Sequence, residues 1–244
     1  MTKHLYEIFT EKWGPCGQIF IYSDPHFSDF DSYRYRHLVK IPDKRDYFNT
    51  FKDGDIFETY ETCAARLVKQ ADEEQVKRIN AVCGKSSTLI ILGDIGNIEY
   101  VKKLKAKHKI LIMGNHDKGA SNYKRHIEYH VDEEHGSLEY DLMNKLVKED
   151  NHLFDEIYEG PLFISEKILL SHEPLNVPNV FNIHGHIHDK NCKGDDTHLN
   201  VCAEAIDYKP INLSSFIKSG ALKKVKDIHR QTVDNAIARK KAKK

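Results

Sequence analysis

Long apolar runs are missing from this chain. The most continuous stretches, Leu89 to Leu92 and Ile110 to Met113, fall far short of the roughly 20 residues a helix needs to cross a bilayer. The opening residues, MTKHLYEIFTEKWG, interrupt their apolar positions with Lys3, Glu7, Glu11 and Lys12, so no secretory signal is expected and the expected compartment is the cytoplasm. Paired cysteines are absent as well. Cys16, Cys63, Cys83, Cys192 and Cys202 are odd in number and contain no C-x-x-C, which argues against a zinc ribbon, a redox motif or a disulfide framework and for reduced thiols. Glycine (13) and proline (7) are too sparse for a collagen-like or low-complexity chain. Net charge is lacking too, with 37 basic against 37 acidic side chains. That balance conceals a split: residues 223–244 carry nine Lys/Arg against two Asp, a surplus of seven, and residues 1–222 carry an equal deficit. A basic end of this kind either attracts an anionic partner such as nucleic acid or forms a solvated helix end.

What is present suits one α/β domain over residues 1–244, since 244 residues with 40% hydrophobic and 30% charged content suffice for a sizeable core. Gln18 to Tyr22 reads as a buried strand. Residues 27–58 show no periodicity and read as a long irregular loop. Thr59 to Cys83 places apolar residues three and four apart and stops at Gly84, the pattern of a helix and its C-terminal glycine. Thr88 to Leu92 and Lys109 to Met113 read as strands separated by a helix near 99–107, and this alternation implies parallel strands. A helix is expected near 137–148 within a lid-like segment at 118–156. A hairpin is expected at 161–171, a strand at 180–183, and a further pair at 199–203 and 210–213. The last thirty residues, 215–244, read as a helix fraying into a basic tail. No internal repeat or linker is visible.

The polar clusters YSDPHF, LGDIGN, MGNHD, LLSHEP and HGHIH each follow a strand-like run, where an α/β sheet gathers its ligand-binding loops. Asp24 and His26 are two apart, so an extended backbone would turn both toward one ion. Asp94, Asn115, His172, His186 and His188 add carboxylate, amide and imidazole donors. This mixture differs from the thiolate cage of structural zinc and is richer in histidine than usual magnesium or calcium sites. It suits Mn, Fe, Co, Ni or Zn. Two ions sharing a carboxylate, naturally Asp94, could generate hydroxide and hold the attacking and leaving oxygens of an in-line displacement at phosphorus. His116 fits as the group that protonates the departing alkoxide, with Asp117 to orient it. Taken one at a time, D-x-H, G-D and H-x-H are ordinary polar turns; the ordered set distinguishes this chain.

In that order the clusters resemble the metal-binding motifs of the calcineurin-like metallophosphoesterase superfamily, from about Gln18 to Leu213. The resemblance implies an α/β fold, a four-layer α/β/β/α sandwich of two mixed sheets, with a dinuclear centre at the strand ends. It implies that Asp24, His26 and His188 hold one divalent ion, Asn115, His172 and His186 hold a second, Asp94 bridges them, and His116 is the general acid. Mn is the first expectation for both ions. NVCAEAIDYKPINL and the helix ending in RINAVCG are similar to small bacterial and phage phosphoesterases. GDIGN and MGNHD lack the arginines of the Ser/Thr protein phosphatase motifs GDxxDRG and RGNHE, which disfavours a phosphoprotein substrate. The chain also has little room for the capping domain usual in the DNA-repair nucleases. Phe27-Ser28-Asp29 stands where relatives often carry Phe-Gly-His. The expected activity is phosphodiester hydrolysis on a nucleotide, cyclic nucleotide or nucleic acid. Phosphomonoester hydrolysis and a non-catalytic binding module are the alternatives, and the oligomeric state is left open. Tyr33, Tyr35, Tyr47 and Phe48, mixed with Arg34, Arg36, Lys44 and Arg45, are candidates to stack bases and neutralise phosphates. Arg125 is a candidate phosphate grip, while His126, His130 and His135 read as solvated helix histidines.

Overall fold

The computed structural model of this protein describes residues 18–33, 38–50, 58–124, 126–131, 146–189, 191–225, 238–239 and 241–242. The first strand, β1 (Ile19–Tyr22), alternates its side chains between two cores. Ile19 and Ile21 point into one and Phe20 and Tyr22 into the other, as the two-residue period of a strand buried on both faces requires. β2 (Thr88–Ile91) pairs with it in parallel, and β3 (His108–Ile112) pairs in parallel with β2, as expected. β6 (Glu156–Tyr158) adds in parallel to β3, and β11 (Ile211–Asn212) adds antiparallel to β1, giving the order β11-β1-β2-β3-β6. The second sheet, β10-β9-β8-β7, consists of β7 (Leu162–Ser165), β8 (Ile168–Ser171), β9 (Phe181–His184) and β10 (His198–Asn200). Only the β7–β8 hairpin in it is antiparallel. The protein is thus a mixed α/β structure with two mixed sheets.

Ile21, Ile90, Leu92 and Ile110 of the first sheet share one buried cluster with Ile164, Leu170, Phe181 and Ile183 of the second. Truncating any of these to alanine should cost about 2–5 kcal/mol, the usual sum of lost transfer energy and cavity. The opposite face of the first sheet is covered by α3 (Tyr60–Val82), whose Val76 and Ile79 pack with Phe20, Tyr22 and Leu111. Thr59 caps that helix, its Oγ1 accepting from the Thr62 amide at 3.1 Å, an interaction worth about 1 kcal/mol. The helix ends directly before Gly84, as read, although Gly84 is not in the left-handed region. Cys83 caps it in an extended conformation, and its amide donates to the Ile79 carbonyl.

Other departures follow from how short the elements are. Residues 27–58 contain two helices, α1 (Phe30–Tyr33) and α2 (Lys44–Thr50), rather than a loop. Each is too brief for apolar periodicity to register, and α1 is held by burying Tyr33 beside Val68 and Ala71 of α3. The helix read at 99–107 is only α4 (Glu99–Lys102). Where a helix was read to end at residue 148 there is a strand, β5 (Leu146–Asn151), paired antiparallel with β4 (His126–Val131). That pairing is non-local, and the local pattern does not reveal it. His126 and His130 therefore lie on a strand rather than a helix; His135 and Arg125 are outside the described residues. The strands read as a pair at 199–203 and 210–213 belong to different sheets. Toward the end come α5 (Leu213–Lys218) and a 3-10 turn at Ala221–Lys224, and Val225 belongs to the core.

Candidate metal centre

Parallel register aligns the ends of the strands. Tyr22 lies opposite Ile91, and Ile91 opposite Leu111, so the residues that follow, Asp24, Asp94 and Asn115, emerge side by side. In the second sheet Ser171 lies opposite His184, which brings out His172 beside Gly185 and His186. The two sheets thus deliver their polar turns to a common edge. The chain is bent sharply there. Asp24 (φ 56°), His26 (φ 43°), Asp94 (φ 52°) and His186 (φ 68°) all occupy the left-handed region, a conformation that costs a non-glycine residue on the order of 1–3 kcal/mol and clusters at functional sites. Gly93, at φ 89°, closes one of these turns: a Cβ there would run into the Gly114 backbone and stand 2.9 Å from His172 Nδ1.

The strained turns converge on two carboxylates. Asp24, fully buried, has Oδ1 at 3.3 Å from His188 Nε2 and 4.0 Å from both His26 Nε2 and His172 Nδ1. Its Oδ2 accepts from the His186 amide at 2.9 Å and from Cys202 Sγ at 3.2 Å. Asp94 places Oδ2 at 3.6 Å from His26 Nε2 and 3.4 Å from His172 Nε2, while its Oδ1 accepts from the His116 amide at 2.9 Å. His172 Nε2 also lies 2.8 Å from Asn115 Oδ1 and 3.1 Å from His186 Nδ1. Donor atoms of Asp24, Asp94 and His172 fall within 4.8 Å of one another, as do those of Asp24, His188 and Cys202. Groups so spaced can hold a metal ion, and oxygen mixed with imidazole fits the transition metals expected from the sequence.

Three of these rings are oriented by a second contact. His26 Nδ1 lies 3.1 Å from Asp29 Oδ2, His188 Nδ1 lies 3.3 Å from Glu204 Oε2, and His172 Nδ1 lies 2.8 Å from the Leu92 carbonyl. Each contact leaves Nε2 turned toward the carboxylates, the arrangement that fixes tautomer and aim in metal-ligating histidines. Sequence reasoning missed Glu204 and Cys202. Both stand in the run NVCAEAIDYKPINL just past β10, which the resemblance singles out without giving either a place at the site, and Asp29 stands three residues after His26.

Burial by itself would raise the Asp24 carboxyl. The hydrogen bond from His188 and the fields of His172 and His188 outweigh it and hold the group well below the usual carboxylate range. His188 mirrors this: burial lowers its pKa, but hydrogen bonds to Asp24 and Glu204 push it up to about 9 in the metal-free protein.

Every expected site residue reaches this edge. His26, Asp94, Asn115, His116, His186 and His188 line a cavity of about 300 Å³, joined by Ser32 and Glu204; Asp24, His172 and Asp117 are buried. Asp117 has a different task from the expected one. Its Oδ2 accepts from the amides of Asp94 and Gly114, both at 2.8 Å, and its Oδ1 accepts from the Ile95 amide at 3.0 Å. It therefore braces two ligand turns against each other, and its carboxylate is engaged with backbone rather than with the His116 ring. His116 itself is exposed, with its ring 5.8 Å from that of His26.

Two of the aromatic residues offered as base-stacking candidates are placed otherwise. Tyr33 is fully buried and donates to Asp72 Oδ1 at 2.6 Å, and Tyr47 donates to the Glu58 carbonyl at 2.6 Å. Lys44 pairs with Glu61 at 2.8 Å. Arg34, Tyr35 and Arg36 lie outside the described residues.

No family model and no curated protein matches this chain. Among solved structures it is similar to a protein of unknown function from Aquifex aeolicus, 22% identical, over 83% of this chain and 98% of that one, with a TM-score of 0.46. Among the described residues no helix is long and apolar enough to cross a membrane.

Proposed function

We propose that this chain is a metal-dependent phosphodiesterase built on the four-layer α/β/β/α sandwich of the calcineurin-like metallophosphoesterases and working where its thiols stay reduced, as in the cytoplasm. In this reading Asp24, His26 and His188 hold one divalent ion, Asn115, His172 and His186 hold a second, and Asp94 is shared. The observation that carries it is the position of Asp94 Oδ2, within 3.6 Å of a histidine from the first set and 3.4 Å of one from the second. When bound, two ions of the Mn, Fe, Co, Ni or Zn type supply Lewis acidity toward a phosphoryl oxygen and make water acidic enough to attack at neutral pH.

The remaining chemistry belongs to the chain. The strained turns hold the donors in place before any ligand arrives, so little reorganisation is needed during reaction. Asp94 Oδ1, by accepting from the His116 amide, ties the acid's loop to the shared ligand. The exposed His116 ring, at the cavity wall, can deliver a proton to the departing ester oxygen.

The test is hydrolysis of bis-p-nitrophenyl phosphate beside p-nitrophenyl phosphate, using protein stripped of metal and then titrated with Mn, Co, Ni, Zn or Mg. Turnover restored by a transition metal, with the diester preferred, is the expected result. Preference for the monoester would make it a phosphomonoesterase, and inertness with two ions bound would make it a binding module. Asp94→Asn should abolish the activity; near-normal turnover would remove Asp94 from its shared position. His116→Ala should leave metal stoichiometry intact and slow substrates with poor leaving groups most. Equal losses on nitrophenyl and alkyl esters would exclude it as the acid.

A further inference from the structure

Next to the metal pocket lies a larger cleft of about 600 Å³, within the range of small-molecule sites. The two share a wall. α1 offers Ser32 to the metal pocket and Phe30 to the cleft, and Ser28, two residues past His26, lines the cleft as well. The cleft's sides are aromatic or small: Phe30, Tyr60 and Tyr100 stand around Ala64, Ala65 and Val68 of α3. The buried Ala64 and the exposed Ala65 present only methyl groups, so the helix wall between the rings is shallow, which suits a planar group better than a branched one. Polar groups converge at one side. Asp72, fully buried, accepts from the Ser28 amide at 3.2 Å and from the Ser28 hydroxyl at 3.3 Å, and Tyr33 donates to it at 2.6 Å.

The charges at the lining balance, since Glu61 is paired with Lys44 at 2.8 Å and Asp72 stands against Lys69. A second phosphate finds no surplus of positive charge there, and an acyl chain would gain nothing from the carboxylates. A nucleobase matches all three properties: it is planar, uncharged, and edged with N–H donors.

We infer that this cleft takes the base of a nucleotide phosphodiester whose phosphate lies at the Asp24–Asp94 centre. This rests on the phosphodiesterase reading for the phosphate, while the cleft itself can be probed without any hydrolysis. The probes are the four neutral ribonucleosides, which carry no phosphate, titrated into the full-length metal-loaded protein by calorimetry and by saturation-transfer NMR. At least one should bind, with ring protons receiving more saturation than ribose protons. Ala65→Trp, a substitution on an exposed face, fills the gap and should weaken that binding at least tenfold, with Ala65→Leu intermediate and metal stoichiometry unchanged in both.

On a nucleotide diester Ala65→Trp should raise KM at least tenfold, while p-nitrophenyl methyl phosphate changes less. Absence of binding by all four nucleosides, or binding that Ala65→Trp leaves untouched, overturns the inference. Were those results to accompany normal metal-dependent diester hydrolysis, the cleft would fall and the phosphodiesterase would stand. Nucleoside binding without turnover would do the reverse.

Discussion

Asp117 offers the sharpest test of how the centre is built. Its carboxylate is 1% exposed and accepts three backbone amides, from Asp94, Ile95 and Gly114, at 2.8 to 3.0 Å. Asp117→Asn preserves shape and removes both the charge and one acceptor, so an amide NH2 must face at least one of these N–H groups. Hydrogen bonds to charged groups are each worth about 1.5–3 kcal/mol, and an unsatisfied buried donor costs about 1–3 kcal/mol. Allowing for relaxation, the substitution should destabilise the protein by about 2–4 kcal/mol, a fall in Tm of roughly 4–16 °C for a domain of this size. The assay is thermal unfolding of both proteins with and without metal, followed by metal titration. Weakened metal binding should accompany the lower Tm, because the same amides set the turns that carry Asp94 and Asn115. A variant within about 0.5 kcal/mol of the parent, the range of an ordinary surface change, would refute the bracing role. If that variant also lost rate selectively on poor leaving groups, as expected of His116→Ala, Asp117 would be orienting the acid after all.

Two further outcomes are expected. Gly185→Ala should impair metal binding and cost about 1–3 kcal/mol, because the new Cβ would collide with Ser23 Oγ and Asp24 Oδ2; calorimetric metal titration checks it, and unaltered affinity would contradict the geometry. In EDTA, the Asp24–His188 pair should make stability fall as pH rises from about 6.5 to 9. The raised His188 value (about 9 against 6.5) makes its contribution complete below the unfolded value and lost above the folded one, and the depressed Asp24 value preserves its own contribution throughout that window. Melting curves across this range should slope for the parent and flatten for His188→Ala, and identical slopes would disprove the coupling.

The parallel strands β1 to β3 were legible because each is an unbroken apolar run that ends in a polar turn. The polar turns that meet at the common edge were legible because each follows a strand-like run and they stand in order along the chain. Elements stabilised by partners far away in sequence were not. β4 and β5 exist through pairing with each other; β10 and β11 have three and two residues and owe their sheets to neighbours. The role of Asp117 escaped for a related reason: nothing local distinguishes a carboxylate that faces a side chain from one that gathers amides 22 and 23 residues away. The burial of Tyr33 likewise depends on Asp72, 39 residues on.

The division of donors between sheets has a mechanical consequence. Asp24, Asp94 and Asn115 hang from one sheet and His172, His186 and His188 from the other, while beneath them the sheets meet through a buried apolar cluster, contacts that resist separation more than sliding. Anything that draws ligands from both groups rivets this seam at its open end and fixes the shear between the layers. Occupancy and rigidity then become one variable: at a hundred times its dissociation constant such a ligand adds about 2.7 kcal/mol to the stability of the whole, and the softness of the emptied seam would register its departure.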